Sequence, residues 1–115
     1  MHKLVIMVES LPDREAFFQA WPQFLHLAET MPGLLRESTS EVDRVIFGDM
    51  RVFWIHELYF ESPLQLTQAM ESPQGREAGK LLQQMTQGRV ILFFANHSED
   101  LVENFRVESQ QSESS

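Results

Sequence analysis

Phe47-Gly48-Asp49-Met50-Arg51-Val52-Phe53-Trp54-Ile55-His56-Glu57-Leu58-Tyr59-Phe60-Glu61-Ser62-Pro63-Leu64-Gln65 carries a turn, a strand and a helix start in one unbroken run. Gly48-Asp49 is a two-residue hairpin signal, because glycine supplies the positive φ that such a turn needs. Met50 to Phe60 is crowded with aromatic and branched side chains and reads as a strand. Ser62-Pro63-Leu64-Gln65 is a capping box with proline at the first helical position, so a helix begins there. A hairpin strand that runs straight into a helix is the centre of a β-β-α unit.

Working outward from it, Leu34 to Phe47 is the weaker, more polar partner strand, with Leu35, Val42, Val45 and Ile46 as its apolar residues. Before it, Asp13 caps a helix whose body is Arg14 to Thr30. At about 100° per residue, Phe17, Trp21, Phe24, Leu25 and Ala28 fall in one apolar sector, and His26 falls opposite. Pro22 lies inside this pattern and removes one backbone hydrogen bond, which predicts a kink or two abutting segments. Pro32-Gly33 stops the helix. The chain starts with Leu4 to Val8, a strand that is apolar on both faces. On the other side, Ser72-Pro73 restarts the second helix, which runs to about Gln87 and ends at Gly88. Arg89 to Ala95 is the last strand, and its Val90-Ile91-Leu92-Phe93-Phe94 core is wholly apolar.

The order β-α-β-β-α-β is the ferredoxin-like α+β arrangement, a four-stranded antiparallel sheet with its helices on one face. A sheet covered by helices on one side only should be polar on the other. Here the first and last strands are apolar on both faces, and the chain has no spare element to cover the second. A second copy of the same sheet is the simplest cover, which predicts a homodimer with two sheets packed face to face, a dimeric α+β barrel.

Residues 1–97 make up that domain, and 98–115 form an acidic, Ser- and Gln-rich tail. Leu101, Val102 and Phe105 offer a turn or two of amphipathic helix, and disorder is expected beyond Val107. The length of 115 residues accommodates one core. The net charge of −8, with nine scattered basic residues, argues against nucleic acid and against an anionic membrane surface. There are no cysteines, so disulfides and thiolate chemistry are excluded. The apolar part of the N-terminus is too short for a signal peptide, and no stretch approaches the roughly 20 residues of a membrane span. The cytoplasm is the default expectation.

Lys3-Leu4-Val5, Phe17-x3-Trp21, Met31-Pro32-Gly33-Leu34, Ile55-His56-Glu57-Leu58-Tyr59-Phe60-Glu61-Ser62 and Ala69-Met70-Glu71-Ser72-Pro73-Gln74-Gly75 occur in an order and spacing that resemble the EthD-like branch of the dimeric α+β-barrel proteins. The resemblance spans residues 3 to about 95. It implies a pocket between sheet and helices in each subunit. Relatives include lactone isomerases, polyketide cyclases, monooxygenases without a cofactor and haem-handling enzymes, so the fold implies a pocket more than a reaction. This chain departs from the relatives at their usual polar positions. Where several of them carry a histidine in the first helix, it has Leu25 or Phe24. Where many have a tyrosine after Pro-Gly, it has Glu37, and a small residue of the third strand is replaced by His56.

His56 is the leading candidate for acid-base work, a titratable group at mid-strand among Val52, Trp54, Leu58 and Phe60 at period two. A core histidine with one satisfied ring nitrogen is the plainer alternative. Glu37 is its candidate orienting carboxylate, provided that the second and third strands are neighbours; otherwise it is one exposed glutamate on a polar strand. Trp54, Phe24 and Trp21 are expected to line the pocket, and His26 joins them only if Pro22 turns it inward. Glu57 and Tyr59 face the partner sheet. No metal motif, phosphate loop or nucleophile elbow is present. Two functional readings follow. In the first, the protein binds and transforms a small apolar or aromatic molecule by isomerisation, cyclisation or oxygen insertion, without an organic cofactor. In the second, it is a non-catalytic dimeric binding or accessory protein. Haem held by His56 or His26 is a weaker third idea.

Overall fold

The computed structural model describes residues 1–103. In chain order the elements are β1 (His2–Glu9), α1 (Arg14–Glu29), β2 (Arg36–Glu41), β3 (Val52–Phe60), α2 (Pro63–Glu71), α3 (Pro73–Thr86) and β4 (Val90–Asn96). The four strands form one antiparallel sheet in the order β2-β3-β1-β4, and the expected ferredoxin-like arrangement is met. The tail reading falls largely on residues outside those described.

Caps set the helix ends. Asp13 accepts a hydrogen bond from the Ala16 amide at 3.1 Å and starts α1. The helix then runs through Pro22 as a single element, contrary to the expected break. Pro22 lies on the exposed side, and Phe17, Trp21, Phe24 and Ala28 keep one buried face, so a single lost backbone bond is outweighed by continuous packing. Ser72 closes α2 and opens α3 with one hydroxyl, which donates to the Ala69 carbonyl at 2.6 Å and accepts from the Gly75 amide at 3.1 Å. The close approach of the two helices there requires glycine, because a Cβ on Gly75 would collide with the Ala69 carbonyl oxygen.

The β2–β3 connection differs from expectation. Only Arg36–Glu41 is strand, and residues 42–51 form a long loop instead of a two-residue turn. Gly48 does take a positive φ of 98°. It does so at the tip of a loop whose Ile46 and Phe47 are 91% and 97% exposed.

The core lies between the sheet and the helices. Leu4, Ile6 and Val8 of β1 pack with Phe17, Phe24, Leu58, Phe60, Leu66 and Leu82. A bulge sits in β3 where Val8 pairs with Trp54 and Glu9 with Val52. It leaves Phe53 without a partner on β1, and both Phe53 and Trp54 reach the rings of α1, at 5.5 Å from Phe17 and 5.1 Å from Phe18. The strict alternation that grouped Val52 with His56 therefore ends at Trp54.

Among the described residues no helix covers the other face of the sheet. By strand parity that face carries Lys3, Val5 and Met7, Ile55, Glu57 and Tyr59, and Ile91, Phe93 and Ala95. Ile91, Leu92, Phe93 and Phe94 of the edge strand β4 are 40–51% exposed. Polar contacts centred on Glu57 sit within this apolar face. Lys3 Nζ donates to Glu57 Oε1 at 2.7 Å, and Ser38 Oγ donates to Glu57 Oε2 at 3.3 Å. Burial pushes the Glu57 carboxyl up, but the Lys3 hydrogen bond and charge outweigh it and hold the group below its ordinary range.

The two glycines of α3 should respond oppositely to alanine. Gly75→Ala is expected to destabilise the fold by about 1–3 kcal/mol, because backbone is in the way. Gly79, beside an apolar cavity of about 30 Å³ and with nothing within 4 Å of an added Cβ, should gain up to about 1 kcal/mol from better helix propensity. Urea denaturation of the two variants checks both signs.

Candidate functional site

His56 sits in the middle of β3 on the helix-facing side and has no exposed surface. The Trp21 ring stands edge-on to it at 5.0 Å, and the Phe24 ring lies at 6.1 Å. An imidazole in such surroundings must find partners within the protein. Both come from β2. Cross-strand pairing places Thr39 directly opposite His56 and Glu37 opposite Leu58, two residues along. Thr39 Oγ1 lies 2.8 Å from Nδ1, and Glu37 Oε2 lies 3.0 Å from Nε2.

A third group joins at the end of α1. The Glu29 carboxyl comes within hydrogen-bonding reach of Glu37. Burial, then the Glu29 hydrogen bond and charge, push the Glu37 carboxyl up to about 7. Burial also pushes His56 down to about 4, against the opposing pull of the Glu29 and Glu57 charges. At neutral pH the imidazole is therefore uncharged, and its contact with Glu37 is a hydrogen bond, not an ion pair.

This geometry decides which way protons sit. When the proton of a protonated Glu37 is turned to His56, its O–H donates to Nε2, so Nδ1 carries the ring proton and donates to Thr39 Oγ1. Once Glu37 ionises, Nε2–H donates to the carboxylate and the Thr39 hydroxyl donates to Nδ1. Ionisation of Glu37 is thus coupled to a tautomer change in His56. Neither ring nitrogen is free for a ligand or a haem iron. Glu37, by contrast, keeps about a quarter of its side chain exposed.

Of the residues expected at the site, the structure brings together His56, Glu37, Trp21, Phe24 and Trp54. Trp54 lies edge-on to Trp21 at 5.5 Å. Its indole nitrogen is buried and has no hydrogen-bond partner among the described residues. His26 lies on the exposed side of α1 and does not join the group, because the helix continues through Pro22 without turning it inward. Thr39 and Glu29 escaped the sequence reading. Thr39 becomes visible only through the strand register, and Glu29 only through the placement of the end of α1.

The aromatic residues fill the layer between sheet and helices and leave no open chamber. The cavity there, bordered by Phe24, Met31, Leu58 and Leu82, measures about 30 Å³ and is almost wholly apolar. Small-molecule pockets are roughly ten times larger or more. The accessible part of the site is the strip between α1 and β2, where Thr39 and Glu41 of the edge strand are exposed. Among the described residues no three His, Asp or Glu side chains converge as metal ligands.

No sequence-family model matches the chain, and no curated protein matches it significantly in sequence. Solved structures do share its fold. An ethyl tert-butyl ether D (EthD) family protein from Bacillus halodurans C-125 superposes with a TM-score of 0.79 at 22% identity, over 85% of this chain and 99% of that one. A dimeric ferredoxin-like protein of unknown function from Jannaschia sp. CCS1 gives 0.66 at 15% identity, over 84% and 98%. SnoaB, a cofactor-independent oxygenase from Streptomyces nogalater, gives 0.67 at 10% identity, over 88% and 96%. The chain therefore has the fold of the EthD-like dimeric α+β-barrel proteins, as its sequence motifs imply.

Two pH effects of opposite sign follow. The raised pKa of Glu37 contributes stability that is complete below its ordinary value of 4.5 and is lost as pH rises through about 7. The lowered pKa of His56 contributes stability that is complete above 6.5 and is lost as pH falls through about 4. Between 4.5 and 6.5 the two oppose each other. Glu37→Gln leaves the His56 effect alone, so urea midpoints of this variant should fall on acidification through that window more steeply than those of the wild type. Nitrogen NMR of the His56 ring should show the tautomer change near pH 7, the value at which Glu37 ionises.

Proposed function

We propose that the protein is a cytoplasmic homodimer that binds a small apolar or aromatic molecule along the strip between α1 and β2 and moves a proton on it through Glu37. The observation that carries this reading is a half-buried carboxyl with a pKa of about 7, backed by a neutral imidazole hydrogen-bonded to it at 3.0 Å. A general base works best when its pKa lies near the working pH, and here that group is Glu37. The roles expected from sequence are exchanged: Glu37 meets the substrate, and His56 is the positioning residue that stores or returns the proton through its tautomer. Burial and the neighbouring Glu29 carboxylate hold the Glu37 proton more tightly than in an ordinary carboxyl, which brings its pKa near the working pH.

The reaction class that suits these groups is proton transfer on a carbon acid, as in isomerisation, cyclisation or the activation of a substrate toward oxygen. No dedicated organic cofactor is required, and the neighbouring fold of a cofactor-independent oxygenase fits this reading. The homodimer is supported by the apolar, uncovered sheet face and by structural neighbours described as dimeric. The second reading, a binding or accessory protein without chemistry, is favoured by one observation, the closed sheet–helix layer with its cavity of only about 30 Å³.

Native mass spectrometry of freshly purified, tag-free protein is expected to show a dimer carrying an organic mass. That compound then serves as substrate for Glu37→Gln, which should retain binding but lose at least about a hundredfold in turnover. Full turnover in this variant overturns the proton-transfer reading, and a stable monomer in dilute solution overturns the dimer. Absence of any turnover by the wild type on the co-purified compound favours the accessory-protein reading.

A further inference from the structure

We infer that the tip of the β2–β3 loop, Ile46-Phe47, is an arm that docks on the helix side of β4 in a second copy of the chain, and that the two copies exchange these arms. The inference rests on the homodimer reading and adds a contact that the packing of two sheets does not supply.

A partner sheet covers one face of β4 only. Residues directly opposite each other on neighbouring strands share a face, so Val90, Leu92 and Phe94 lie with Val8, Ile6 and Leu4 on the helix side. Yet α2 packs against β1 and β3, and Leu92 and Phe94 stay 41% and 51% exposed. Together with Leu4, Met70 and Phe93 they line an open notch of about 290 Å³. Every side chain that borders it is apolar, so it calls for an apolar occupant.

The same chain carries a matching knob. Ile46 and Phe47 are so exposed that their own copy hardly touches them, and Gly48, with its positive φ, turns the chain back directly after them. Topology brings knob and notch together. Within one copy β3 and β1 separate β2 from β4, which are opposite edges of the sheet. Two sheets that face each other about a two-fold axis running along the strands therefore set β2 of each copy beside β4 of the other. Glu41, the last residue of β2, is level with Trp54, Val8 and Val90, so the loop leaves β2 at the end where β4 begins. Residues 42–51 reach about 16 Å out and back, at roughly 3.3 Å per residue. That spans one strand spacing of about 4.8 Å and the two residues down to Leu92. Because the axis is two-fold, each copy gives one arm and receives one.

The chain has no cysteine, so introduced thiols report the contact without background. Full-length protein carrying both Phe47→Cys and Leu92→Cys is treated with a short bis-maleimide, which bridges thiols too far apart for a disulfide. The products are resolved on a denaturing gel and by mass spectrometry. The expected result is a covalent dimer from the double variant, while each single variant stays at monomer mass. A second measurement uses Ile46→Ser combined with Phe47→Ser. Both positions are exposed in a single copy, so the fold should hold, and the dimer dissociation constant in analytical ultracentrifugation should rise at least about tenfold. A link within one chain, cross-linking of a single variant, or a dimer that gives no link overturns the arm exchange. So does a dissociation constant that the two serines leave unchanged. In each of these cases a wild type that still sediments as a dimer keeps the homodimer reading and leaves the tip to a different protein. A wild type that sediments as a monomer overturns both readings.

Discussion

An imidazole with no exposed surface needs a hydrogen-bond partner for each ring nitrogen, and among the described residues β2 supplies both. That requirement organises the molecule. β2 is short, polar and at the edge of the sheet, with little apolar surface to hold it in place. His56 ties it down from the helix side through Thr39 and Glu37. Glu57, the next residue of β3, reaches Ser38 on the opposite face. Adjacent residues of one strand thus pin alternate residues of the next, and the register of the pair is set by polar contacts more than by hydrophobic ones.

The same arrangement makes the site's chemistry. Burial that would leave a lone histidine simply neutral here works on two hydrogen-bonded groups. Desolvation removes the charge from His56 and, helped by Glu29, raises Glu37 toward neutrality. The result is a carboxyl that exchanges its proton near pH 7 and a ring that follows by changing tautomer. The tryptophans and phenylalanines packed above the ring exclude water from it, which is why the shifts are large.

The second constraint is the uncovered sheet face. Ile91, Phe93, Val5 and Met7 are more apolar than a solvated surface calls for, and the Lys3–Glu57 pair sits among them, partly buried already in one copy. An ion pair placed within an apolar face disfavours pairings that leave it unmatched, so it is suited to setting the register of a face-to-face partner. Helices on one side and a partner sheet on the other would leave the α1–β2 strip as the open approach to Glu37.

Much of this was legible from local signals. Asp13, Ser62 and Ser72 announce their helices, because a cap is a contact between residues three apart. The two-faced apolar strands announce a sheet that needs cover on both sides. The β2–β3 loop was misread, because glycine's positive φ marks a turn without saying how long it is. A two-residue turn at Gly48-Asp49 would have set His56 against Glu41; the observed register sets it against Thr39, two residues away. Since side chains alternate with period two, the slip kept the correct face and lost the correct partner. The sequence by itself therefore determined the order of the elements, their caps and the face on which His56 and Glu37 lie, all of which follow from short-range geometry. Which atoms meet is a long-range matter. The contacts of His56 with Thr39, of Glu29 with Glu37, and the unpaired Trp54 nitrogen depend on register, helix placement and a bulge at Phe53, and only the packed tertiary structure decides those.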